Sequence, residues 1–330
     1  MSLERGADTL LKVGIPDSVG AELHRLLPKD IALEVIPSHP DRPYEVEFWI
    51  APPTTAQTRR VWPWLRGVRV VQATVAGVDG ILSLIPKDVV LCDARGAHTI
   101  STAEWAVTAV LSALKYFPLY ADVQRSGVWS RRKEGEARYQ ALHPSEGRFF
   151  PPVLNEEVHG RQVLIVGYGD IGRAVENRLL PFGVEVVRVA RTAREGVYGN
   201  EKLMDLLPAA DVVVLTVPFT SETTGMLGAA QIAQMKQGAL LVNAARGAVV
   251  DTDALMAALE DRRIQAAIDV TDPEPLPEGH PLWSAPNLLI TPHIGSSTPM
   301  FMRRAMEVAA AQVGRYLRGE PLENRVTGEY

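Results

Sequence analysis

Three unlike polar side chains stand just past apolar runs in the last third of this 330-residue chain. Arg246 follows LLVNAA, Glu274 follows AIDVTDP, and His293 follows LLITP. An imidazole exchanges protons near neutral pH. A carboxylate beside it favours the charged ring. A guanidinium forks onto carboxylates and polarises carbonyl oxygens. Singly, each residue has an ordinary explanation: a surface arginine, a solvated turn between prolines, a structural histidine. Jointly, on successive strand ends, they read as a site, because open α/β sheets gather ligands at the carboxyl ends of their strands.

A second pattern points to what that site adjoins. The segment QVLIVGYGDIGRAVENRLL holds Gly167, Gly169 and Gly172 between an aliphatic run and an amphipathic stretch. Strand, glycine turn and helix in that order are the context of a dinucleotide fingerprint. Gly167 permits the tight turn, Gly169 lets the main chain approach a pyrophosphate, and Gly172 lets the helix pack close to the strand. Tyr168, Asp170 and Ile171 share this loop, whose helix N-terminus offers N–H groups to phosphates. An acid roughly 20 residues past the glycines would bond the ribose 2′-hydroxyl of NAD. Here the chain reads EVVRVARTAREG, with Arg191, Thr192 and Arg194 after the strand and Glu185 at its wrong end. Two guanidiniums and a hydroxyl suit a 2′-phosphate. NADP is therefore the preferred cofactor, with NAD possible; the plainer alternative is a solvated basic loop on an enzyme that accepts both.

These residues need elements to hold them. Apolar runs at 12–15, 32–36, 47–50, 68–72 and 89–93 read as strands, with helical patterns between, such as 19–27. Strands alternating with helices argue for a parallel sheet. Ser101-Thr102-Ala103-Glu104 fits a capping box, predicting a helix to about Arg125 with a kink at Pro118. Residues 126–159 lack a clear period, which is long for a passive connection. They read as an arm; its charged half fits a solvated loop, and its aromatic half (Phe149, Phe150, Pro151, Pro152) favours packing. Six further strands are predicted at 162–166, 184–190, 212–217, 239–243, 265–270 and 287–291. Thr298-Pro299 then opens a last helix, with Gly319 past its end. The expected fold is α/β: two doubly wound parallel-sheet domains, a Rossmann cofactor domain (102–297) inserted into a flavodoxin-like substrate domain (1–101 and 298–330).

Composition sets outer bounds. Hydrophobic residues make up 46% and charged residues 22%, with a net charge of −5, so binding to nucleic acid through a general basic surface is not expected. The single cysteine, Cys92, excludes an intrachain disulfide framework and reads as buried and inert. The histidines show no metal-ligand spacing. The start MSLERGADTLLKVGIP reads as no cleavable leader, and no run is apolar enough for a membrane helix. A soluble cytoplasmic protein without membrane or nucleic-acid partners is expected.

On these motifs the chain resembles the D-isomer-specific 2-hydroxyacid dehydrogenase family, in its glyoxylate/hydroxypyruvate reductase-like branch. The segments that carry the likeness are VQATVAGVDGI, STAEWAVTAVLSALKY, HGRQVLIVGYGDIGRAV, DVVVLTVPFTSETTGML, MKQGALLVNAARGAVVDTDAL, AAIDVTDPEPLPEGHPLW and NLLITPHIGSST, which together span most of the chain. The resemblance implies that Arg246 binds the substrate's 2-oxo and carboxylate oxygens, that Glu274 hydrogen-bonds the catalytic histidine, and that His293 is the general acid/base. It implies that main-chain N–H groups of the Val75-Ala76-Gly77 loop bind the substrate carboxylate. It places Asp269 at the nicotinamide carboxamide, where a helix cap is the alternative, and Thr102 near the nicotinamide. Val217, Pro218, Thr223, Ala244, Ala245 and Gly295 are the remaining expected cofactor contacts. Asp272 is left as a solvated turn residue. The implied activity is NADPH-preferring reduction of a small 2-oxo acid to the D-2-hydroxy acid, by a homodimer whose cleft closes over the substrate. Alternatives are a D-3-phosphoglycerate dehydrogenase, for which a chain ending at Tyr330 leaves no room for an added regulatory domain, a phosphite-oxidising relative, and a nucleotide-sensing corepressor-like protein.

Overall fold

The computed structural model describes residues 10–328. The leader-free reading of the N-terminus falls largely on residues 1–9, and the chain end at Tyr330 on 329–330, outside the described residues. The chain forms two compact units, residues 1–99 with 298–330 and residues 100–297.

The first unit carries five parallel strands: β1 (Leu11–Pro16), β2 (Ile31–Ile36), β3 (Phe48–Ile50), β4 (Val70–Gln72) and β5 (Val90–Cys92). Their order is β2-β1-β3-β4-β5, that of flavodoxin-like sheets. Alternate side chains feed opposite faces, as the pleat requires. Trp49, Val71 and Ile36 pack with Val61, Ile81 and Ile85, whereas Leu11, Val13, Phe48 and Val70 pack with Met306, Ala309 and Val313. Those last three lie on the C-terminal helix, Phe301–Leu317, which starts two residues later than expected. The predicted helix at 19–27 shrinks to one turn, Ala21–His24.

The second unit carries seven parallel strands: β6 (Gln162–Val166), β7 (Glu185–Ala190), β8 (Tyr198–Gly199), β9 (Val212–Leu215), β10 (Leu240–Asn243), β11 (Gln265–Ile268) and β12 (Leu288–Ile290). Their order is β8-β7-β6-β9-β10-β11-β12, a Rossmann order with one short strand that the periodicity missed. Val163 and Ile165 face one core with Val175 and Leu179; Leu164 and Val166 face the other with Leu255 and Leu259.

Several expectations about the helical region need correction. The helix predicted from Ser101, α1, spans Thr99–Leu114. Ser101 is buried inside it, so Ser101–Glu104 is not a capping box. The helix ends eleven residues before Arg125, because Tyr116 turns left-handed (φ 53°) and buries its hydroxyl on Glu156 at 2.7 Å. Pro118 then sits in the first turn of a separate helix, α2 (Phe117–Ser126), where its missing N–H costs nothing. The charged half of the arm is also ordered: Glu134–Leu142 forms helix α3, with Arg131 bonded to Glu134 at 2.6 Å. In the aromatic half, Phe149 is half-exposed and meets the edge of Tyr139, at 6.0 Å between ring centroids. Phe150 is fully exposed, so the packing expected of it is absent among the described residues of this chain.

Candidate functional site

The glycine turn after β6 has three different steric demands. A Cβ on Gly167 (φ 98°) would lie 2.6 Å from the main chain of Thr216 and Val217, so the turn requires glycine on two grounds. A Cβ on Gly172 would lie 3.0 Å from the Gly167 carbonyl and 3.1 Å from Ile165, which seats the next helix, α4 (Asp170–Leu179), tightly on the sheet. A Cβ on Gly169 would meet nothing closer than 3.9 Å; its face is open above the helix N-terminus. Crowded, open, crowded is the arrangement a dinucleotide needs, with the pyrophosphate lying against the middle glycine. Thr216 Oγ1 donates to the Gly167 carbonyl at 2.9 Å and fixes the turn from below.

Around this turn lie the other expected contacts. Arg191 and Thr192 are exposed just past β7. Arg194 donates to the Tyr168 carbonyl at 2.6 Å, and Asp170 pairs with Arg173. After β9, Val217 is buried and Thr223 Oγ1 donates to the Pro218 carbonyl at 2.7 Å. Ala244 N donates to the Leu215 carbonyl at 3.1 Å. Thr102 is half-buried inside α1.

The three polar residues are positioned by their strand ends. Asn243, the buried last residue of β10, accepts from Ala245 N at 3.0 Å and donates to the Arg246 carbonyl at 2.9 Å. This Asx-type turn aims Arg246, whose Nη1 donates to the Ala245 carbonyl at 2.9 Å. Gly247 comes next, and a Cβ there would sit 2.0 Å from the Thr271 carbonyl group. Only glycine lets the arginine turn lie flat against the 271–272 segment that leads to Glu274. Past β12, Thr291 to Gly295 wrap around Asp269. Asp269 Oδ1 accepts from Thr291 Oγ1 at 2.6 Å and Ile294 N at 2.8 Å, and Oδ2 accepts from Gly295 N at 2.7 Å. Trp105 Nε1 donates to the same Thr291 hydroxyl at 2.9 Å. His293 takes the left-handed conformation (φ 53°), and its N–H donates to the Asp269 carbonyl at 2.7 Å. No helix begins at Asp269, so the helix-cap alternative falls; both its oxygens hold the turn that presents His293.

His293 Nδ1 lies 2.6 Å from Glu274 Oε1. This bond holds the imidazole above its usual pKa, against burial and the Arg246 charge, which lower it. The same bond holds Glu274 below the usual carboxylate range, and Arg246 adds to that. The contact thus favours the imidazolium–carboxylate form of the pair and extends it to higher pH than a lone histidine would reach. Asp272 is exposed, as expected. Sequence reasoning missed Asn243, Gly247 and the clamping role of Asp269. An asparagine ending an apolar run three residues before Arg246 was the available signal, since such side chains bond nearby main chain.

The Val75-Ala76-Gly77 loop belongs to the first unit. It follows β4, and the Val75 carbonyl accepts from Ala94 N at 3.0 Å. His98 Nε2 lies 2.9 Å from the Thr74 carbonyl. The loop residues themselves are partly exposed.

The chain is similar to known proteins. Residues 107–295 match the D-isomer specific 2-hydroxyacid dehydrogenase, NAD binding domain. The chain is 36% identical over 267 residues to a glyoxylate reductase from Thermococcus kodakarensis, covering 77% of this chain and 74% of that one. It is 31% identical over 281 residues to a D-3-phosphoglycerate dehydrogenase from Methanocaldococcus jannaschii, covering 82% of this chain but spanning only half, 50%, of that protein's length. A D-isomer specific 2-hydroxyacid dehydrogenase from Xanthobacter autotrophicus Py2, solved with NADPH and MES, is similar in structure with a TM-score of 0.74 at 27% identity, covering 97% of this chain and 100% of that chain. The domain match spans more than half of the chain and the glyoxylate reductase likeness three quarters of it, so the chain belongs to the D-isomer specific 2-hydroxyacid dehydrogenase family.

Proposed function

We propose that this protein reduces a small 2-oxo acid, glyoxylate or hydroxypyruvate, to the D-2-hydroxy acid with NADPH as the preferred donor. The observation that carries the reading is the 2.6 Å contact of His293 with Glu274, whose charges Arg246 perturbs. When bound, the nicotinamide supplies the hydride. With Nδ1 committed to Glu274, His293 Nε2 is left to give its proton to the carbonyl oxygen. Glu274 keeps the ring protonated and fixes its plane. Arg246 holds the substrate's carboxylate and polarises its carbonyl, its fork steadied by the bond to Ala245.

The NADPH preference rests on Arg191, Thr192 and Arg194 past β7. Glu176, which pairs with Arg188 of β7, is buried and engaged there, so it does not offer a bond to a ribose hydroxyl. We further propose a cytoplasmic homodimer. Among the described residues no helix is long and apolar enough to cross a membrane, and Phe117, Trp129 and Phe150 present apolar surface for a second copy.

The test is loss of reduced-nicotinamide absorbance with each acid, using NADPH and NADH in parallel. Faster loss with NADPH supports the reading, and NADH preference overturns the cofactor assignment. Turnover only with 3-phosphohydroxypyruvate favours the second reading, a D-3-phosphoglycerate dehydrogenase, which the likeness to the Methanocaldococcus jannaschii protein suggests. Arg191→Ala should weaken NADPH by about 1.5–3 kcal/mol, the worth of a charged hydrogen bond, and leave NADH little changed.

A further inference from the structure

A buried carboxylate lies behind the basic loop past β7, on the inner side of α4. Glu176 is only 4% exposed. Arg188, in the middle of β7, donates to Glu176 Oε2 through Nε at 3.0 Å and through Nη2 to Oε1. The Tyr168 hydroxyl donates to the same Oε2. The carboxylate therefore ties one side chain of the glycine turn to one side chain of the second strand.

Tyr168 in turn holds a third group. Two guanidiniums lie over its ring, Arg188 at 5.6 Å and Arg194 at 5.8 Å from the centroid. Its carbonyl accepts from Arg194 Nη2 at 2.6 Å. Arg194 and Val197 exchange main-chain bonds, at 3.0 and 2.8 Å, that close the loop back on itself. An arginine on an exposed loop ordinarily samples many rotamers and loses that freedom when it binds an anion. Here the ring and the carbonyl of Tyr168 have already restricted it, and Glu176 restricts Tyr168. Preorganised donors bind their anion more tightly because less ordering remains to be done.

Charge points the same way. Without Glu176, Arg188 would be an uncompensated cation partly buried behind the loop, repelling Arg194. With the bidentate pair formed, Arg188 is neutralised and its side chain is committed. The outward positive charge of the loop is left to Arg191 and Arg194.

We propose that Glu176 is a positioning residue for cofactor choice, holding Arg194 through Tyr168 and Arg188 so that the loop favours a 2′-phosphate over a bare ribose. This rests on the NADPH reading above. Glu176 touches no cofactor atom in this scheme; its effect is confined to the ligand that carries the extra phosphate.

The test is Glu176→Gln in the full-length protein, with KM and kcat for NADPH and NADH at saturating 2-oxo acid, direct NADPH titration by nucleotide fluorescence, and a melting curve. KM and Kd for NADPH should rise by about three- to tenfold, within the range of coupling between contacting groups, with kcat and the KM for NADH unchanged. Equal weakening of both nucleotides, or no change in either, overturns the proposal. Should the buried amide prevent folding, the double variant Glu176→Leu/Arg188→Leu replaces the ion pair by apolar side chains, which buried pairs often tolerate. It should fold and show the same selective loss; a folded double variant with intact NADPH preference also overturns the proposal. Arg191→Ala separates the two levels. A wild-type protein without NADPH preference, and an Arg191→Ala variant that weakens neither nucleotide selectively, remove the cofactor assignment and this role with it. NADPH preference that Arg191→Ala lowers and Glu176→Gln leaves intact removes only the positioning role.

Discussion

His293 and Glu274 are both about two-fifths exposed, at 44% and 40% of their side chains, so their contact adds little to stability. Its weight lies in the proton. A histidine held above its usual pKa keeps the charged form, and with it the acid for reduction, to higher pH. Reduction should therefore be full below that raised value and fall as pH climbs through it. Glu274→Gln removes the largest cause of the raise, so the falling limb of the kcat/KM profile should move to lower pH. An unmoved limb would assign the titration to another group. His293→Asn should lose turnover by about 10²–10⁴-fold, the usual share of a positioned acid, with NADPH affinity retained in a binding titration. Asparagine is the apt replacement, because it tolerates the left-handed backbone that His293 adopts. Cys92 needs no chemistry: burial pushes its thiol up to about 12, and its reading as an inert core residue agrees with its full burial.

Elements explain why three strand ends converge. The arginine turn and the glutamate segment meet through Gly247, against Thr271. Gly247→Ala would force them apart, and a misplacement near 1 Å costs on the order of 10²-fold in rate. The expected outcome is a large fall in kcat/KM with the NADPH Kd little changed; near-normal turnover would show that the two segments are not mutually constrained. The strands and the glycine turn were legible in the sequence because aliphatic runs and glycine spacing are local signals. The start of α1 was not, since Ser101 and Glu104 mimic a cap while tertiary burial of Ser101 extends the helix past them. The break at Tyr116 was hidden too, because it depends on Glu156, forty residues away. Burial raises the Glu156 carboxyl, but bonds from His143, Arg161 and Tyr116 outweigh it and hold it down at about 2. No local pattern announces such a partner. The same holds for Glu176, which reads in sequence as one more polar residue of an amphipathic helix.

At the scale of the whole chain, the glycine turn, the basic loop and the three polar residues all fall within residues 100–297. The chain in front of and behind that stretch forms one unit, whose core needs Met306, Ala309 and Val313 from the last helix. Truncation after Ser297 should therefore abolish the folding of residues 10–99. A melting transition and NADPH binding should survive in the remainder, as calorimetry and nucleotide titration would read. A truncated chain in which residues 10–99 keep protection from hydrogen exchange would show that the last helix is dispensable. The same division has a consequence for synthesis. The first hundred residues leave the ribosome without the helix that completes their core, and all of residues 100–297 must be made before that helix appears. At 5–20 residues per second the wait is about ten to forty seconds. During it the apolar faces of Leu11, Val13, Phe48 and Val70 lack their cover, and the nascent chain is a client for chaperones.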